Sequence, residues 1–299
     1  MQSRSGSDDV LKPALDSLYT SFNYTDSALD PIQIVRRYAA LDDREVVAFI
    51  AAGLAFGRVA SVMASIEAVC AVLGPHPAAF IRQFDPDRDG ADLRRLVHRW
   101  TRGDDFVGLV WMLRELIGPA GSLERTFASG LDRSAADVEG ALEAFSGRAR
   151  ALDLRPVYGR RPRTPGAHYF FSRPSTGSAC KRLNLFLRWM VRQDEVDPGG
   201  WTSVPTRQLV VPLDTHTIRV GKCLRLTRRA TPGWKMAAEI TAALRAFDPE
   251  DPVRYDFALC HLSMMGACGF GTARGSQQCP LRAHCRPGRA RRQPPARRR

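Results

Sequence analysis

Two ionisable residues stand where such groups are unusual. Asp214 closes the apolar run at 210–213 and is followed by Thr215 and His216. The simplest role for it is a helix N-cap, whose side-chain oxygen accepts from the free N–H groups of the first turn. Lys181 lies upstream in STGSACKRLNLFLRWMVR, where Leu183, Phe186, Leu187, Met190 and Val191 recur at helical spacing. It falls in the first turn of that helix, behind a glycine-containing turn. The helix dipole favours anions at this end, so it should disfavour the ammonium and lower the lysine's pKa. Alone, such a lysine is a snorkelling surface residue. Taken with Asp214, it is a candidate amine in an amine–carboxylate pair.

A second group could do metal chemistry. Four of the seven cysteines, Cys260, Cys268, Cys279 and Cys285, lie in the last forty residues. This clustering predicts a local site rather than a scattered disulfide framework. Four thiolates suit a [4Fe–4S] cluster or zinc. Three cysteines with His284 or His261 would suit zinc better. Cys260 sits in an apolar helical pattern, where a buried structural cysteine is the commoner outcome.

The elements that must position these groups read as helices. An amphipathic stretch covers 11–22. DDREVVAFIAAGLAFG opens on paired aspartates and stops at Gly57, and VASVMASIEAVCAVLG follows and stops at Gly74. Further helical spacing occupies 78–84, 91–101, 106–117 and 122–131, punctuated at Pro75, Pro86, Gly103 and Pro119. Alternating β-branched runs are few and no internal repeat is present, so the fold class is all-α.

Composition adds a partner. The 299 residues carry a formal net charge of +13 and 44% hydrophobic residues, enough for a packed core. That charge favours polyanions, nucleic acid before an anionic membrane surface. Residues 148–192 hold eleven basic residues against Asp153 alone, interleaved with Tyr158, Tyr169, Phe170 and Phe171. Guanidinium groups that neutralise phosphates release counterions, and aromatic faces stack on exposed bases. Residues 1–29 are polar, and the tail at 286–299, with seven arginines, is expected to be disordered. The N-terminus MQSRSGSDDVLK lacks the apolar core of a secretory signal, and no apolar run approaches a membrane span. A soluble cytoplasmic protein associated with the nucleoid is expected.

The pair at Lys181 and Asp214 resembles that of the helix–hairpin–helix (HhH-GPD) DNA glycosylases, the superfamily of endonuclease III and the 8-oxoguanine glycosylases. Their turn of the form G-x-G-x-K is similar to GSACK at 177–181, and their later aspartate motif is similar to LDTHTIR at 213–219. Gly177 matches the first hairpin glycine, while Ala179 replaces the second. DREVVAFIAAGLAFG, GSACKRLNLFLRWMVR, PLDTHT and DPEDPVRYDFALCHL together resemble the bacterial DUF2400 family of glycosylase-like proteins, over roughly residues 10–285. QDEVDPGGWTSVPTRQ is an insertion relative to endonuclease III.

The resemblance implies two helical lobes with a cleft between them: 30–192 with the hairpin-like turn, and 193–285 with the aspartate and the cysteines. It also implies that 1–29 packs with the second lobe. The implied activity is excision of a modified base, flipped from double-stranded DNA into a pocket, by a monomer. Lys181 would attack C1′ and form a Schiff base, which permits strand nicking, and ionised Asp214 would stabilise positive charge on the sugar. Arg58, Arg160, Arg161, Arg163, Gly177, Ser178, Arg182, His216 and Arg219 would contact DNA. Cys279 and Cys285 reproduce the final C-x5-C of the endonuclease III iron–sulfur motif, with Cys268 near its first position and Cys260 as a fourth thiolate. The substrate would be an oxidised purine, in repair, or a hypermodified base of phage DNA, in defence. A DNA- or RNA-binding protein without catalysis, and a structural or regulatory metal-bearing protein, are the alternatives.

Overall fold

A computed structural model describes residues 5–26, 29–160, 162–266 and 279–285. Arg161, Cys268 and the arginine-rich tail fall outside them. The described residues are mostly helical, as the apolar spacing predicts. Helix α1 (Ser5–Phe22) and the short α2 (Ile32–Val35) lead to α3 (Leu41–Leu54), which has Asp42 and Asp43 in its first turn. From Glu45 to Leu54 every residue of α3 is buried, so it forms the axis of the core. Helix α4 (Val59–Leu73) ends at Gly74, whose φ of 73° is the left-handed conformation glycine adopts without steric cost. Helix α5 (Pro77–Gln83) follows.

Residues 91–101 are not the helix their spacing predicts. Helix α6 (Pro86–Leu93) starts earlier, because Asp85 accepts from the backbone N–H groups of Asp87 and Arg88, both at 3.0 Å, and Pro86 sits at the first helical position. The proline therefore starts a helix rather than breaking one. After Leu93 the chain forms a small antiparallel hairpin, β1 (Val97–His98) and β2 (Thr101–Arg102). His98 fixes it from within. One imidazole nitrogen bonds Ser65 Oγ at 2.9 Å and the other bonds the Phe56 carbonyl at 3.1 Å.

Helices α7 (Asp104–Ile117), α8 (Leu123–Ala128), α9 (Glu139–Arg150) and α10 (Arg155–Tyr158) complete the first half. Glu45 ties α3 to α8 by accepting from the N–H groups of Leu123 and Glu124, at 2.8 and 2.7 Å. Then come α11 (Lys181–Val191), α12 (Thr215–Cys223), α13 (Trp234–Arg245) and α14 (Asp256–Met264). Helix α11 packs along α3, α12 against α14, and α1 against α14. In the last contact Tyr255 Oη donates to Asp16 at 2.6 Å. Buried apolar side chains form a continuous cluster from Leu11 to Leu281. Among the described residues no single helix is long and apolar enough to cross a membrane.

Candidate functional site

Lys181 is the first residue of α11. The turn before it is built by backbone geometry: Gly177 has φ 79°, Cys180 has φ 48°, and Ser178 Oγ accepts from the Cys180 N–H at 3.1 Å. The lysine Nζ donates to the Ala55 carbonyl at 3.2 Å. Ala55 is the residue that ends α3, so the amine meets the carbonyl end of one helix dipole while its backbone starts another. Around it lies a cavity of about 460 Å³, lined by Phe56, Arg150, His168, Tyr169 and Ser178 among others. Burial, reinforced by the Arg150 charge, pushes the His168 imidazole down to about 4, so this ring is neutral at physiological pH.

Asp214 is the N-cap of α12, as its sequence context predicts. Its Oδ1 accepts from the backbone N–H groups of His216 and Thr217, at 2.9 and 2.7 Å. The other carboxylate oxygen, Oδ2, accepts from the Cys260 thiol at 3.4 Å. No ion pair joins Asp214 to a cationic side chain among the described residues, and its hydrogen-bond donors there are two amides and a thiol. His216 Nδ1 lies 3.1 Å from Ser263 Oγ. Lys181 and Asp214 do not touch, and Asp214 is not among the residues lining the Lys181 cavity.

A buried ion-pair chain joins the two helices that carry these residues. Arg188, two turns along α11 from Lys181, donates to Asp256 at 2.8 Å and to Asp197 at 3.1 Å. Asp256 in turn lies 3.4 Å from Thr217 Oγ1, on the helix that Asp214 caps. Burial raises the Asp256 carboxyl to about 6, against the pull of Arg188. Arg192 adds Asp194 at 2.8 Å, Asp251 at 2.9 Å, and a further bond to Asp197. Asp194 and Asp197 both come from the stretch read as an insertion, which therefore supplies counter-ions to α11. The basic stretch at 148–192 therefore does not present all its cations to solvent. Two of its eleven cations are buried in ion pairs, Arg155 pairs with Asp153, and Arg173 with Glu143.

The residues expected to contact DNA divide. Arg58, Arg160, Arg163, Arg219 and Gly177 are exposed, Ser178 and His216 are half-buried, and Arg161 lies outside the described residues. Arg182 turns inward. Its guanidinium bonds the carbonyls of Gly53 (3.2 Å) and Tyr169 and lies over the Tyr169 ring, 3.6 Å from the centroid. It clamps α3 to the 166–170 segment.

Three of the four cysteines expected at a metal site, Cys260, Cys279 and Cys285, fall within the described residues. Cys285 is joined in a disulfide to Cys223, whose Cα lies 5.2 Å from its own, a pairing across 62 residues that no local spacing announces. Cys260 is directed at Asp214, Cys279 is half-buried, and Cys268 lies outside the described residues. Among the described residues no three His, Cys, Asp or Glu side chains are arranged to hold a metal ion. The residues described do not form the four-thiolate set that a [4Fe–4S] cluster or an all-cysteine zinc site requires.

One feature that helical spacing does not reveal lies beside the cavity. Phe56 and Trp100 stack with centroids 4.6 Å apart and planes at 24°, and Tyr169 closes on both edge-on. Its trace in the sequence is the placing of basic residues beside aromatics in HRWTR at 98–102 and FGR at 56–58.

No curated protein and no solved structure matches the chain. The family model described as "Protein of unknown function (DUF2400)" matches residues 30–265, and the chain belongs to that family.

Proposed function

We propose that this protein is a DNA N-glycosylase of the helix–hairpin–helix type, working in the cytoplasm on double-stranded DNA from which a modified base has been flipped. The observation that carries the reading is the amine of Lys181 at the wall of a cavity of about 460 Å³, behind a left-handed Gly177–Cys180 turn. A flipped nucleotide needs such a pocket. In this scheme the Lys181 Nζ lone pair bonds C1′ as the glycosidic bond breaks and the base leaves with the bonding pair and one of the nitrogen's protons. The C1′–O4′ bond then opens, O4′ takes the second proton, and C1′ and Nζ form the Schiff base. Asp214, whose carboxylate no cation neutralises among the described residues, offsets the positive charge that grows on the sugar. The exposed arginines Arg58, Arg160 and Arg163 hold the phosphates.

Borohydride reduction tests the scheme. A covalent protein–DNA adduct should form with DNA containing the substrate base, and mass spectrometry of bases released from oxidised and phage DNAs should identify that base. Release without trapping would mean a water nucleophile and a purely positioning lysine. Binding without either would favour the second reading, a nucleic-acid-binding protein without catalysis. That alternative is favoured by the absence of Asp214 from the lining of the Lys181 cavity.

A further inference from the structure

We infer that the Phe56–Trp100–Tyr169 cluster is a stacking platform for an unpaired nucleobase, with the indole of Trp100 as its contact surface. The inference rests on the nucleic-acid part of the proposed function and not on base excision. Trp100 is 53% exposed and Tyr169 41% exposed, whereas most large aromatics among the described residues are buried. An exposed tryptophan stacked on a second ring presents a flat, polarisable surface that water solvates poorly.

The cluster is built rather than incidental. Trp100 is the second residue of the two-residue turn between β1 and β2. Arg99, the first, holds φ 56°, a conformation that costs a residue with a side chain about 1 kcal/mol. Hairpins usually place glycine, asparagine or aspartate there. Strain of this kind marks a turn kept for what it presents. The hairpin is pinned from below by His98, and the Phe56 ring packs on that imidazole with centroids 4.5 Å apart. The platform is therefore preorganised.

Charge identifies the occupant. Arg99 lies over the Trp100 ring, 5.4 Å from its centroid, and Arg58 and Arg102 follow Phe56 and Trp100 two residues along the chain. All three are exposed, and none forms an ion pair with a carboxylate among the described residues. The acidic residues at the start of α7 are engaged, Asp104 with Arg94 at 3.0 Å and Asp105 with the Tyr158 hydroxyl at 3.3 Å. Flat aromatic faces beside exposed guanidinium groups match a base on a phosphodiester strand. Phe56 and Tyr169 also line the Lys181 cavity, so the platform borders the pocket where a flipped nucleotide would sit.

The test compares Trp100→Leu and Trp100→Phe with wild type, by fluorescence anisotropy on three probes: oligothymidine, a duplex with one bulged base, and the same duplex fully paired. Stacking on one base is typically lost at a cost of about 10- to 100-fold in affinity. Trp100→Leu should show that loss on the first two probes and little on the paired duplex, and Trp100→Phe should recover part of it. Because the side chain is half-exposed, thermal unfolding should stay unchanged. Wild-type affinity in Trp100→Leu, an equal loss on all three probes, or no binding of oligothymidine by wild type would overturn the inference. So would Trp100-dependent self-association with oligonucleotide binding unaffected, since it would make the cluster a protein interface. A wild type that never releases a base but shows the Trp100 effect would sink the glycosylase reading alone.

Discussion

The Cys260 thiol lies 3.4 Å from Oδ2 of Asp214, the carboxylate oxygen that the α12 cap leaves over. Both atoms belong to a packed pair of helices, α12 and α14, so the contact is set by the fold and not by a mobile loop. A thiol is a weak donor and carries no charge. Asp214 therefore has its cap satisfied through Oδ1, while Oδ2 meets only a weak donor among the described residues.

This division separates structure from chemistry in one residue. Asn caps helices as well as Asp does. Asp214→Asn should leave stability close to wild type while lowering base release by on the order of 10²–10³, the usual effect of removing a group aimed at developing charge. Asp214→Ala should in addition cost about 1 kcal/mol of stability. Single-turnover release assays alongside urea unfolding would check both. Full activity in the Asn variant would leave Asp214 with the cap alone.

Cys260 should be unreactive in the folded protein. Burial, and then the neighbouring charges of Asp214 and Asp256, push its thiol well above the ordinary cysteine value. The thiolate is the nucleophile in alkylation. Iodoacetamide at mildly alkaline pH should leave Cys260 unmodified in native protein and modify it after urea unfolding, as read by peptide mass spectrometry. Ready labelling of the native protein would contradict the Asp214 contact.

His168 should make the protein acid-sensitive. Its imidazole is held down to about 4 in the fold, against 6.5 in the open chain, and its Nε2 is buried without a partner among the described residues. The unfolded chain thus takes up a proton that the folded one refuses. The stability contributed by neutral His168 is complete above about 6.5 and is lost as pH falls towards 4. His168→Phe should flatten the fall in melting temperature over that window. An unchanged slope would assign the acid sensitivity to other groups.

Arg192 and Asp197 should be individually indispensable. Asp197 is fully buried, and Arg188 and Arg192 are its counter-ions. Removing one partner of a buried pair leaves an uncompensated charge and typically costs roughly 3–5 kcal/mol. Arg192→Leu should lower the urea midpoint accordingly. Adding Asp197→Leu should restore part of the loss, because the pair as a whole is worth less than either half left alone. A mild single variant would mean that water reaches the cluster.

What was legible in the sequence was local. The Asp214 cap needs only N–H groups two and three residues away, and α3, α4 and α7 are framed by their own aspartates, glycines and apolar spacing. The hairpin was not legible, because two-residue strands are too short to alternate and His98 finds its partners on α4 and after α3. Nor was the fate of the basic stretch. Counting charges between 148 and 192 cannot show that Arg188 and Arg192 pair with Asp197, Asp251 and Asp256. The same limit hid the Cys223–Cys285 bond, since the regular spacing of Cys279 and Cys285 drew both into one expected site.

Lys181 gives the most decisive variant pair. Its Nζ is held by one backbone carbonyl, that of Ala55, so the amine can leave for a substrate by breaking a single hydrogen bond. Arg182, its neighbour, is fixed by two carbonyls and an aromatic face. Lys181→Ala should abolish borohydride trapping with little change in melting temperature. Lys181→Gln should keep slow base release if water replaces the amine, because Asp214 would still offset the sugar's charge. Arg182→Ala should act differently. It frees the part-buried carbonyl of Gly53 and releases that of Tyr169 to solvent, so it should lower stability by about 1 kcal/mol. It should also loosen Tyr169 and weaken binding while leaving the residual trapping chemistry intact. Trapping that survives Lys181→Ala would move the nucleophile elsewhere and remove the main support for a lyase.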